Sequence, residues 1–364
     1  MSHPAAAHIV LLCSRLDLPG GIEKAVITVA NQLAAHNNRV TLLLLDETAE
    51  TFYPVNEGVH LVQYALHFGI TRRGNMLTRK IKFLSDIRKL KRILQQLAPT
   101  HIIASEYPFA VAAELAGGSK LAKLYSWEHH HFHELGKSRF WERMVQHSYP
   151  KMQGIICLNP DEQKLYSPLN KNTLVIPNSI APNPLRIRRD LRILTVARLT
   201  AVKGIDSLLE IAGQVLQANH AWTWTVIGDG ELKPMVQSFI QKHNLEKQFE
   251  LRTPQSPDLQ KAYASASLYV MTSVNECFPM TLLEAQAAGL PCIAFDCETG
   301  PRHIITKETG ILVHPGNTEA MNRAIQQLID DPSLREKMGT AAIEHSRQFE
   351  PESILQQWSN KIIR

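Results

Sequence analysis

The amino-acid sequence predicts an α/β protein built from two doubly wound domains. Short apolar runs, typical of buried strands, alternate with stretches of helical spacing along most of the 364 residues. This alternation is typical of parallel strands joined by crossover helices. The length exceeds that of most single domains, and Pro177, Pro182 and Pro184 interrupt regular structure near the middle. We therefore predict one domain over residues 1–180 and a second from residue 181 onward.

The first predicted strand runs into Gly20 and Gly21, and a helix is predicted to begin near Ile22. A strand, a glycine turn and a helix open a doubly wound domain, in which ligands bind at the carboxyl ends of the strands. The two glycines could bring a substrate close to the backbone or simply form a turn. The absence of G-x-G-x-x-G gives no support for a dinucleotide. Predicted strands of the first half are residues 8–13, 39–46, 59–62, 101–104, 122–127, 154–158 and 174–176.

Composition favours an ordinary folded protein. Hydrophobic residues make up 44% of the chain and charged residues 20%. The longest apolar runs, such as residues 40–45, are too short to cross a bilayer, and the first residues lack the pattern of a secretory leader. Five cysteines form no C-x-x-C pair, which favours a reducing, cytoplasmic setting.

A basic segment covers residues 71–92, where nine lysines and arginines accompany a single acidic residue, Asp86. Such a basic amphipathic helix suits an anionic membrane surface; the alternative is a core-packed helix with a solvated outer face. Nucleic acid is disfavoured, because no binding module or interleaved aromatic residues accompany the charge. We take helix 72–92 as a candidate membrane contact. Apolar residues near helical spacing predict a helix over 77–97: Leu77, Ile81, Leu84, Ile87, Leu90 and Leu94.

Four histidines lie within residues 129–133, on a predicted strand-end loop of the kind where function concentrates. Adjacent histidines point in diverging directions, and no cysteine or acidic residue completes a metal-ligand spacing. A metal site is therefore disfavoured. We expect one imidazole to face a substrate and the others to be structural or solvated.

The second half repeats the alternation of strands and helices. Its predicted strands are residues 193–196, 223–227, 249–252, 268–271 and 292–295. Its predicted helices are residues 205–216, 232–243, 279–288, 318–329, 332–349 and 351–363.

Cations and glycines follow the strands of the second half. Arg198 lies at the carboxyl end of the first strand and Lys203 precedes a helix, positions suited to neutralising a diphosphate. Surface ion pairing is the alternative for both. Gly228 lies in the turn I-G-D-G, where a glycine permits close approach. No D-x-D sequence offers metal ligands, so we expect the cations to act without a metal ion.

The stretch 275–290, N-E-C-F-P-M-T-L-L-E-A-Q-A-A-G-L, combines a helix start with two carboxylates. Pro279 suits a first helical turn, so the amides of residues 278–281 lack helical partners and favour an anion. Glu276 then precedes the helix and Glu284 lies inside it. Carboxylates beside an anion suit neutral hydroxyls, such as those of a sugar and a ribose. Solvated surface glutamates are the alternative.

Together these motifs resemble glycosyltransferase family 4, a retaining family of the GT-B fold. The resemblance covers nearly the whole chain, and it is closest to bacterial members that build surface polysaccharides and lipid-linked oligosaccharides. It implies two Rossmann-like domains facing a central cleft, the second over residues 181–350, with the helix 351–364 returning to the first. The motifs are V-A-R-L-x4-K-G, I-G-D-G, E-C-F-P-M-x-L-L-E-A, F-D-C-E-T-G-P-R-H-I-I, G-G-I-E-K and I-P-N-S.

The resemblance implies a catalytic role for four residues. Arg198 and Lys203 would bind the donor diphosphate, and Glu276 would hold hydroxyls of the donor sugar. His129 matches the family's histidine near the reacting sugar, with His130 as the next candidate. No metal ion or cofactor is implied.

Further residues are implied to bind the donor. Gly21 would approach the diphosphate from the first domain, Glu284 would hold the ribose, and Thr253 falls where the family contacts the base. Cys277 stands where the family commonly has glycine, a difference that bears on which sugar fits. The other implied donor-binding residues are Gly228, Phe278, Pro279, Met280 and Thr281.

The implied function is transfer of a hexose or N-acetylhexosamine, with retained configuration, from a nucleoside diphosphate sugar. The expected donor is a UDP-sugar, and the expected acceptor is a glycan or lipid-linked saccharide. The expected location is cytoplasmic, with the basic helix offering a peripheral contact with the inner membrane face. The alternatives are an epimerase or phosphorylase of the same fold, or a catalytically silent subunit that binds nucleotide sugars.

Overall fold

A computed structural model describes residues 6–46, 50–66, 68, 76–133, 137–183, 185, 190–253 and 256–364, and at 76–79 and 256–258 the backbone alone. Several residues named above fall outside this description. Arg72 and Arg73 of the predicted basic helix and Pro184 of the predicted boundary lie in the gaps. Within the described helices, no segment is long and apolar enough to span a membrane.

The chain divides into two compact units. The first comprises Met1–Ser179 together with Pro351–Arg364, and the second comprises Ile180–Glu350. Each unit contains one parallel β-sheet with helices connecting its strands. The predicted α/β class with two doubly wound domains is therefore confirmed.

Before residue 180, the described residues of the first unit form seven strands and six α-helices. Its strands are β1 (His8–Cys13), β2 (Arg39–Leu44), β3 (Val59–Gln63), β4 (His101–Ala104), β5 (Lys123–Trp127), β6 (Gly154–Cys157) and β7 (Thr173–Val175). Its helices are α1 (Gly21–Ala35), α2 (Met76–Leu97), α3 (Tyr107–Leu115), α4 (Gly118–Leu121), α5 (Arg139–Ser148) and α6 (Pro160–Tyr166).

The strands of the first unit pair in the order β3-β2-β1-β4-β5-β6-β7. From β1 the chain adds β2 and β3 on one side of β1, and then crosses to the opposite side and adds β4 to β7. The strand order therefore reverses between β1 and β4. Every residue of β1 and of β4 is buried, because helices cover a parallel sheet on both faces. The carboxyl ends of all seven strands lie at one edge, and ligands of such sheets bind at the reversal.

In the second unit, the part of the chain that the structure describes forms six strands and six α-helices. Its strands are β8 (Arg192–Val196), β9 (Thr223–Ile227), β10 (Phe249–Arg252), β11 (Leu268–Met271), β12 (Cys292–Phe295) and β13 (Gly310–Val313). Its helices are α7 (Ile205–Ala218), α8 (Lys233–Lys242), α9 (Ser256–Ser265), α10 (Met280–Ala287), α11 (Thr318–Asp330) and α12 (Pro332–Ser346).

The second sheet has the order β10-β9-β8-β11-β12-β13, so its reversal lies between β8 and β11. The predicted strands omitted β13, a short edge strand that starts with a glycine. Gly310 is required there because a Cβ atom would lie 2.0 Å from the carbonyl oxygen of Cys292 on β12. The predicted helix over 332–349 ends at Ser346 and continues as a 3₁₀ turn, Arg347–Phe349.

Helix α2 meets the core with only part of the predicted stripe, and the half-buried Ile87 belongs to that part. Leu90 and Leu94 are buried as expected, but Ile81 is 60% exposed and Leu84 is 45% exposed. Ile93, absent from the predicted stripe, is buried instead. Two apolar stripes run along this helix, and only one of them reaches the core.

The last helix belongs to the first unit. Helix α13 (Pro351–Trp358) continues into a π-helical turn over Ser359–Ile363. Trp358 is fully buried and its ring lies edge-on to Trp127 of β5, with ring centroids 4.9 Å apart. The ammonium of Lys361 donates to the carbonyl of Val175 at 2.8 Å. Apolar packing and this hydrogen bond hold the end of the chain on the unit that begins it.

Candidate functional site

Loops from four strands meet at the carboxyl edge of the second sheet. Arg198 follows β8, Gly228 follows β9, Thr253 follows β10 and Glu276 follows β11. Because these strands are parallel neighbours, their carboxyl ends share one edge. The structure therefore gathers these residues at one edge of the sheet, around the reversal where ligands of such sheets bind.

Lys203 and Glu276 form an ion pair across the reversal between β8 and β11. The Lys203 Nζ atom lies 2.7 Å from Glu276 Oε1, and the two side chains are only 16% and 14% exposed. The turns that carry them are joined by backbone as well, since the amide of Val274 donates to the carbonyl of Val202 at 2.9 Å. The pair is thus held from both sides at low solvent exposure, where charge interactions are strong.

Gly204 allows this close approach. Its φ of +63° lies in the left-handed region that glycine favours, and a Cβ atom would stand 2.0 Å from the carbonyl oxygen of Thr272. The Thr272 hydroxyl in turn donates to the carbonyl of Lys203 at 3.1 Å. The turn carrying Lys203 is therefore locked against the end of β11.

The loop of Glu276 is also fixed through its own backbone. The carbonyl of Glu276 accepts hydrogen bonds from the Thr299 hydroxyl and the Gly300 amide, both at 2.9 Å. A Cβ atom on Gly300 would lie 2.6 Å from the same oxygen. The glycine in the T-G-P sequence therefore serves the packing of the loop that presents Glu276.

Helix α10 begins one residue later than predicted. Pro279 is its N-cap with extended backbone, and Met280 is its first residue. The first-turn amide of Leu282 donates to the carbonyl of Pro279 at 3.1 Å. Helix geometry leaves the amides of Met280 and Thr281 without an intrahelical acceptor, as expected for an anion site. Three neighbours contribute no exposed side chain: Cys277, Phe278 and Met280 are buried, and the Phe278 ring packs edge-on against Phe349 at 5.9 Å.

Glu284 is anchored by a tyrosine that the sequence analysis missed. The hydroxyl of Tyr263 donates to Glu284 Oε2 at 2.8 Å, and burial, followed by the nearby Glu284 carboxylate, raises the pKa of Tyr263 well above its ordinary value. Tyr269 of β11 stacks beside Tyr263 and donates to the carbonyl of Val196 at 3.2 Å. The sequence A-Y-A-S-A around Tyr263 indicates only an apolar helix face, so nothing in it signals this contact.

Arg198 is exposed, and it forms no ion pair within the part of the chain that the structure describes. Its neighbour Leu199 donates its amide to the carbonyl of Asp229 at 2.8 Å. A Cβ atom on Gly228 would lie 2.0 Å from the carbonyl oxygen of Ala197. The I-G-D-G turn is therefore glycine-rich because it packs against the backbone that carries Arg198.

Thr253, the residue predicted at the base-contacting loop, is exposed just after β10. Its hydroxyl accepts a hydrogen bond from Lys233 Nζ at 3.4 Å, and the same ammonium lies 3.2 Å from Asp229 Oδ2. The ends of β9 and β10 are thus bridged by one lysine.

In the first unit, His129 is buried and has no hydrogen-bond partner on either ring nitrogen among the described residues. Its ring packs on Trp127 at a centroid distance of 4.3 Å. Burial, followed by the charge of His130, lowers the pKa of His129 to about 3. The imidazole is therefore neutral near pH 7, and leaving a buried polar group unpaired costs free energy that a hydrogen-bonding ligand would recover.

His131 has a structural role, as expected for most of this cluster. Its Nδ1 atom lies 2.5 Å from Glu162 Oε1, and both side chains are almost completely buried. The second oxygen of Glu162 accepts from the amide of Phe132 at 3.1 Å. Asn159 caps the helix that carries Glu162. This carboxylate fixes the loop just after His129 and His130.

A second buried carboxylate fixes the loop just before His129. Glu128 accepts hydrogen bonds from the hydroxyls of Ser126, Tyr149 and, at 3.1 Å, Tyr166. Burial, followed by the charge of Glu128, raises the pKa of Tyr166 well above its ordinary value, so its hydroxyl remains a donor. The sequence analysis did not single out Glu128, because two of its three partners, Tyr149 and Tyr166, lie 21 and 38 residues along the chain.

Glu106 follows β4 at the reversal of the first sheet and is the N-cap residue of α3. Burial, then the charges of Glu23 and Glu128, raise the pKa of Glu106 to about 7. Gly21, the first residue of α1, follows β1 on the other side of the same reversal. A carboxyl and a helix start thus share this edge of the first sheet.

Glu106→Gln should change the pH dependence of stability. The raised pKa of Glu106 means that its stabilising contribution is complete below about pH 4.5 and is lost as the pH rises through about 7. Relative to the wild type, the variant should therefore gain up to about 3 kcal/mol in free energy of unfolding between about pH 5 and about pH 8. Urea unfolding at both pH values measures this, with Glu142→Gln on exposed α5 as the control. Parallel pH profiles for all three proteins would contradict it.

Among the described residues, no group of three or more histidine, cysteine, aspartate or glutamate side chains is arranged to hold a metal ion.

Two protein-family models match this chain. The model described as Glycosyl transferases group 1 matches residues 180–345, and the model described as Glycosyltransferase Family 4 matches residues 19–183. One curated relative, the amylovoran biosynthesis glycosyltransferase AmsD of Erwinia amylovora, is 29% identical over 367 residues. The match covers 97% of this chain and 98% of that relative.

Solved structures share the fold at low sequence identity. Anabaena HepE in complex with UDP superposes with a TM-score of 0.80 at 17% identity, over 98% of this chain and 99% of that chain. The pneumococcal O-GlcNAc transferase GtfA in complex with UDP and GlcNAc superposes with a TM-score of 0.81 at 14% identity, over 99% of both chains.

Proposed function

We propose that this chain, whose two halves match glycosyltransferase family models and whose fold is that of GT-B enzymes, is a retaining, family 4 enzyme that uses a UDP-sugar. The transferred unit is a hexose or N-acetylhexosamine, and the acceptor is a glycan or lipid-linked saccharide. Support comes from the relative AmsD, named for amylovoran biosynthesis, and from similar folds solved with UDP. The product belongs to bacterial polysaccharide biosynthesis.

One observation carries this proposal: the Lys203–Glu276 pair at the reversal of the second sheet, just before helix α10. A nucleoside diphosphate sugar offers a doubly charged leaving group next to neutral hydroxyls. A shielded cation beside a carboxylate, followed by unpaired helix amides, matches that combination. A surface ion pair would be exposed, and this one is not.

We assign the leaving diphosphate to Arg198, Lys203 and the first turn of α10. Negative charge grows on the phosphate oxygens as the glycosidic bond breaks, and positioned cations and amides stabilise this charge. The Glu276 carboxylate accepts hydrogen bonds from hydroxyls of the donor sugar. The Glu284 carboxylate, oriented by Tyr263, accepts hydrogen bonds from hydroxyls of the ribose. The proposed reaction uses no metal ion.

The mechanism keeps the anomeric configuration without a covalent protein nucleophile. The leaving phosphate takes the proton of the acceptor hydroxyl as that oxygen bonds to the anomeric carbon. Gly21 and His129 of the first unit are assigned to the donor by the family resemblance, and Gly21 has no other support. For His129, two buried and unpaired ring nitrogens give independent support, because a sugar hydroxyl would satisfy one of them.

A thermal-shift screen of UDP- and GDP-sugars tests the donor. A ligand at about 100 times its Kd stabilises the folded protein by about 2.7 kcal/mol, which raises Tm by several degrees. We expect a UDP-sugar to give the largest increase. Equal shifts for UDP and GDP compounds, or none, would contradict the proposed donor.

Product analysis tests the reaction. Incubation of the responding donor with and without saccharide acceptors should release UDP faster with an acceptor and give an α- or β-linkage matching that of the donor. An altered sugar without any acceptor would indicate an epimerase, and phosphate-dependent breakdown would indicate a phosphorylase. Binding without any hydrolysis would indicate a silent subunit.

The location proposed is cytoplasmic, with contact between the basic helix 72–92 and the inner membrane face. Its described part, in α2, carries exposed cations at Lys80, Lys82, Arg88 and Lys89. Clustered cations on a helix bind anionic lipid surfaces. This contact would place the enzyme beside lipid-linked acceptors.

A further inference from the structure

The first unit exposes an apolar patch that its core does not use. Ile81 and Leu84 of α2 are 60% and 45% exposed, and Phe140 of α5 is 54% exposed. The ring of Phe140 lies edge-on to Phe83 of α2 at 6.2 Å, so the two helices meet here. We call Ile81, Leu84 and Phe140 the α2–α5 patch. Apolar side chains exposed together mark interaction surfaces.

Cations continue the exposed face of α2 beyond the patch. Ile81, Leu84, Arg88 and Lys91 are spaced by three or four residues and are all exposed, so they share one face of the helix. Asp86, the acidic residue of α2, points into the protein, where its carboxylate accepts from the amide of Phe68 at 3.2 Å. The outward face of α2 therefore combines apolar groups with positive charge and carries no carboxylate among the described side chains.

Helix α5 repeats the combination. Arg139 and Arg143 are exposed on either side of Phe140 in sequence, together with one exposed carboxylate, Glu142. Phe140 also contacts Trp141 at a ring distance of 5.5 Å, and Trp141 packs against Tyr107 at 5.6 Å. The exposed ring of Phe140 is therefore supported by aromatic packing beneath it.

We infer that the α2–α5 patch enters the boundary between headgroups and acyl chains of an anionic bilayer, while the neighbouring cations bind headgroup phosphates. The inference rests on the membrane contact proposed above and deepens it, because it adds a second helix and an apolar contribution. Helices that lie in a membrane interface combine an apolar face with lysine and arginine in this way. Charge complementarity selects an anionic lipid surface as the occupant.

Vesicle binding at high salt distinguishes insertion of the apolar patch from purely electrostatic docking. Ionic screening weakens contacts between exposed charges and phosphates but leaves burial of apolar surface intact. Vesicles of equimolar phosphatidylcholine and phosphatidylglycerol should therefore retain part of the bound protein at about 1 M salt, where the Debye length falls to about 3 Å. Vesicles of phosphatidylcholine alone should bind far less.

The test is co-sedimentation of the full chain with these vesicles. The variant Ile81→Ser/Leu84→Ser/Phe140→Ser should lose about tenfold or more in vesicle partitioning and lose all of the salt-resistant fraction. Met235→Ser, which replaces a residue 38% exposed on α8 of the second unit, is the matched control and should bind as the wild type does. Thermal unfolding of each variant checks that the fold is intact.

Three results would overturn the inference: a triple variant that binds like the wild type, wild-type binding that disappears entirely at high salt, or no vesicle binding at all. The first two leave electrostatic docking in place. Donor hydrolysis in the absence of vesicles reports the proposed transferase independently. It should be the same in the triple variant and the wild type, because none of the three substituted residues is assigned to the donor.

Discussion

Arg198→Ala should lower turnover about 100- to 1,000-fold while the protein stays folded. The residue is assigned to the leaving diphosphate, and removal of one positioned group that stabilises developing charge costs this much in comparable sites. Because Arg198 is exposed and without an ion pair in the described part of the chain, its removal should change stability by no more than about 0.5 kcal/mol. Steady-state release of UDP measures the loss.

The control for this variant is Arg323→Ala. Arg323 is an exposed arginine on α11 of the same unit, paired with Glu319 one helical turn away. Its removal should leave turnover unchanged. If Arg198→Ala and Arg323→Ala release UDP at the same rate, the diphosphate is bound elsewhere and the assignment of the leaving group is wrong.

Glu128→Ala should destabilise the protein by about 3–5 kcal/mol. The substitution leaves three buried hydroxyls, of Ser126, Tyr149 and Tyr166, without their shared acceptor, and each unpaired buried group costs about 1–3 kcal/mol. A cavity adds to the loss. Urea unfolding followed by tryptophan fluorescence measures the change, because Trp127 adjoins the site.

Glu142→Ala on the exposed face of α5 is the matched control and should fall within about 0.5 kcal/mol of the wild type. Tyr166→Phe removes one donor but keeps the carboxylate, so it should cost about 1 kcal/mol. Equal destabilisation by Glu128→Ala and Glu142→Ala would show that the buried network does not hold this loop.

Much of the fold was predictable because buried parallel strands are continuous apolar runs. Residues 8–13 and 101–104 were predicted with the bounds that the structure gives them. The edge strand β13 escaped because it is short, starts with Gly310 and is only partly buried. A short strand of this kind resembles a turn followed by a loop.

The packing of α2 was predicted only in part, for a different reason: Ile87, Leu90 and Leu94 face the core as predicted, and two other residues of the stripe do not. Leucines and isoleucines recur at helical spacing on two adjacent stripes, and periodicity alone does not decide which stripe meets the core. The rest of the unit selects the stripe containing Leu90, Ile93 and Leu94. Ile81 and Leu84 are left outside by that choice.

Strand ends and sequence motifs predicted which residues belong to the candidate site, but not which of them contact one another. Arg198, Lys203 and Glu276 were named from the loops after buried strands and from a family resemblance. The pairing of Lys203 with Glu276 spans 73 residues and depends on which strands are neighbours. Ser126 lies two residues from Glu128, but the two tyrosine partners lie 21 and 38 residues away, so no local pattern reveals the whole network around this carboxylate.

The pairing of Lys203 with Glu276 means that the second unit itself supplies a counter-ion for its own lysine. Under the proposed function, an arriving nucleotide therefore competes with a tethered carboxylate and exchanges one anion for another. When the phosphates bind Lys203, the carboxylate of Glu276 is released. It can then accept hydrogen bonds from the hydroxyl groups of the donor sugar. A single lysine thus couples occupancy by the nucleotide to readiness for the sugar.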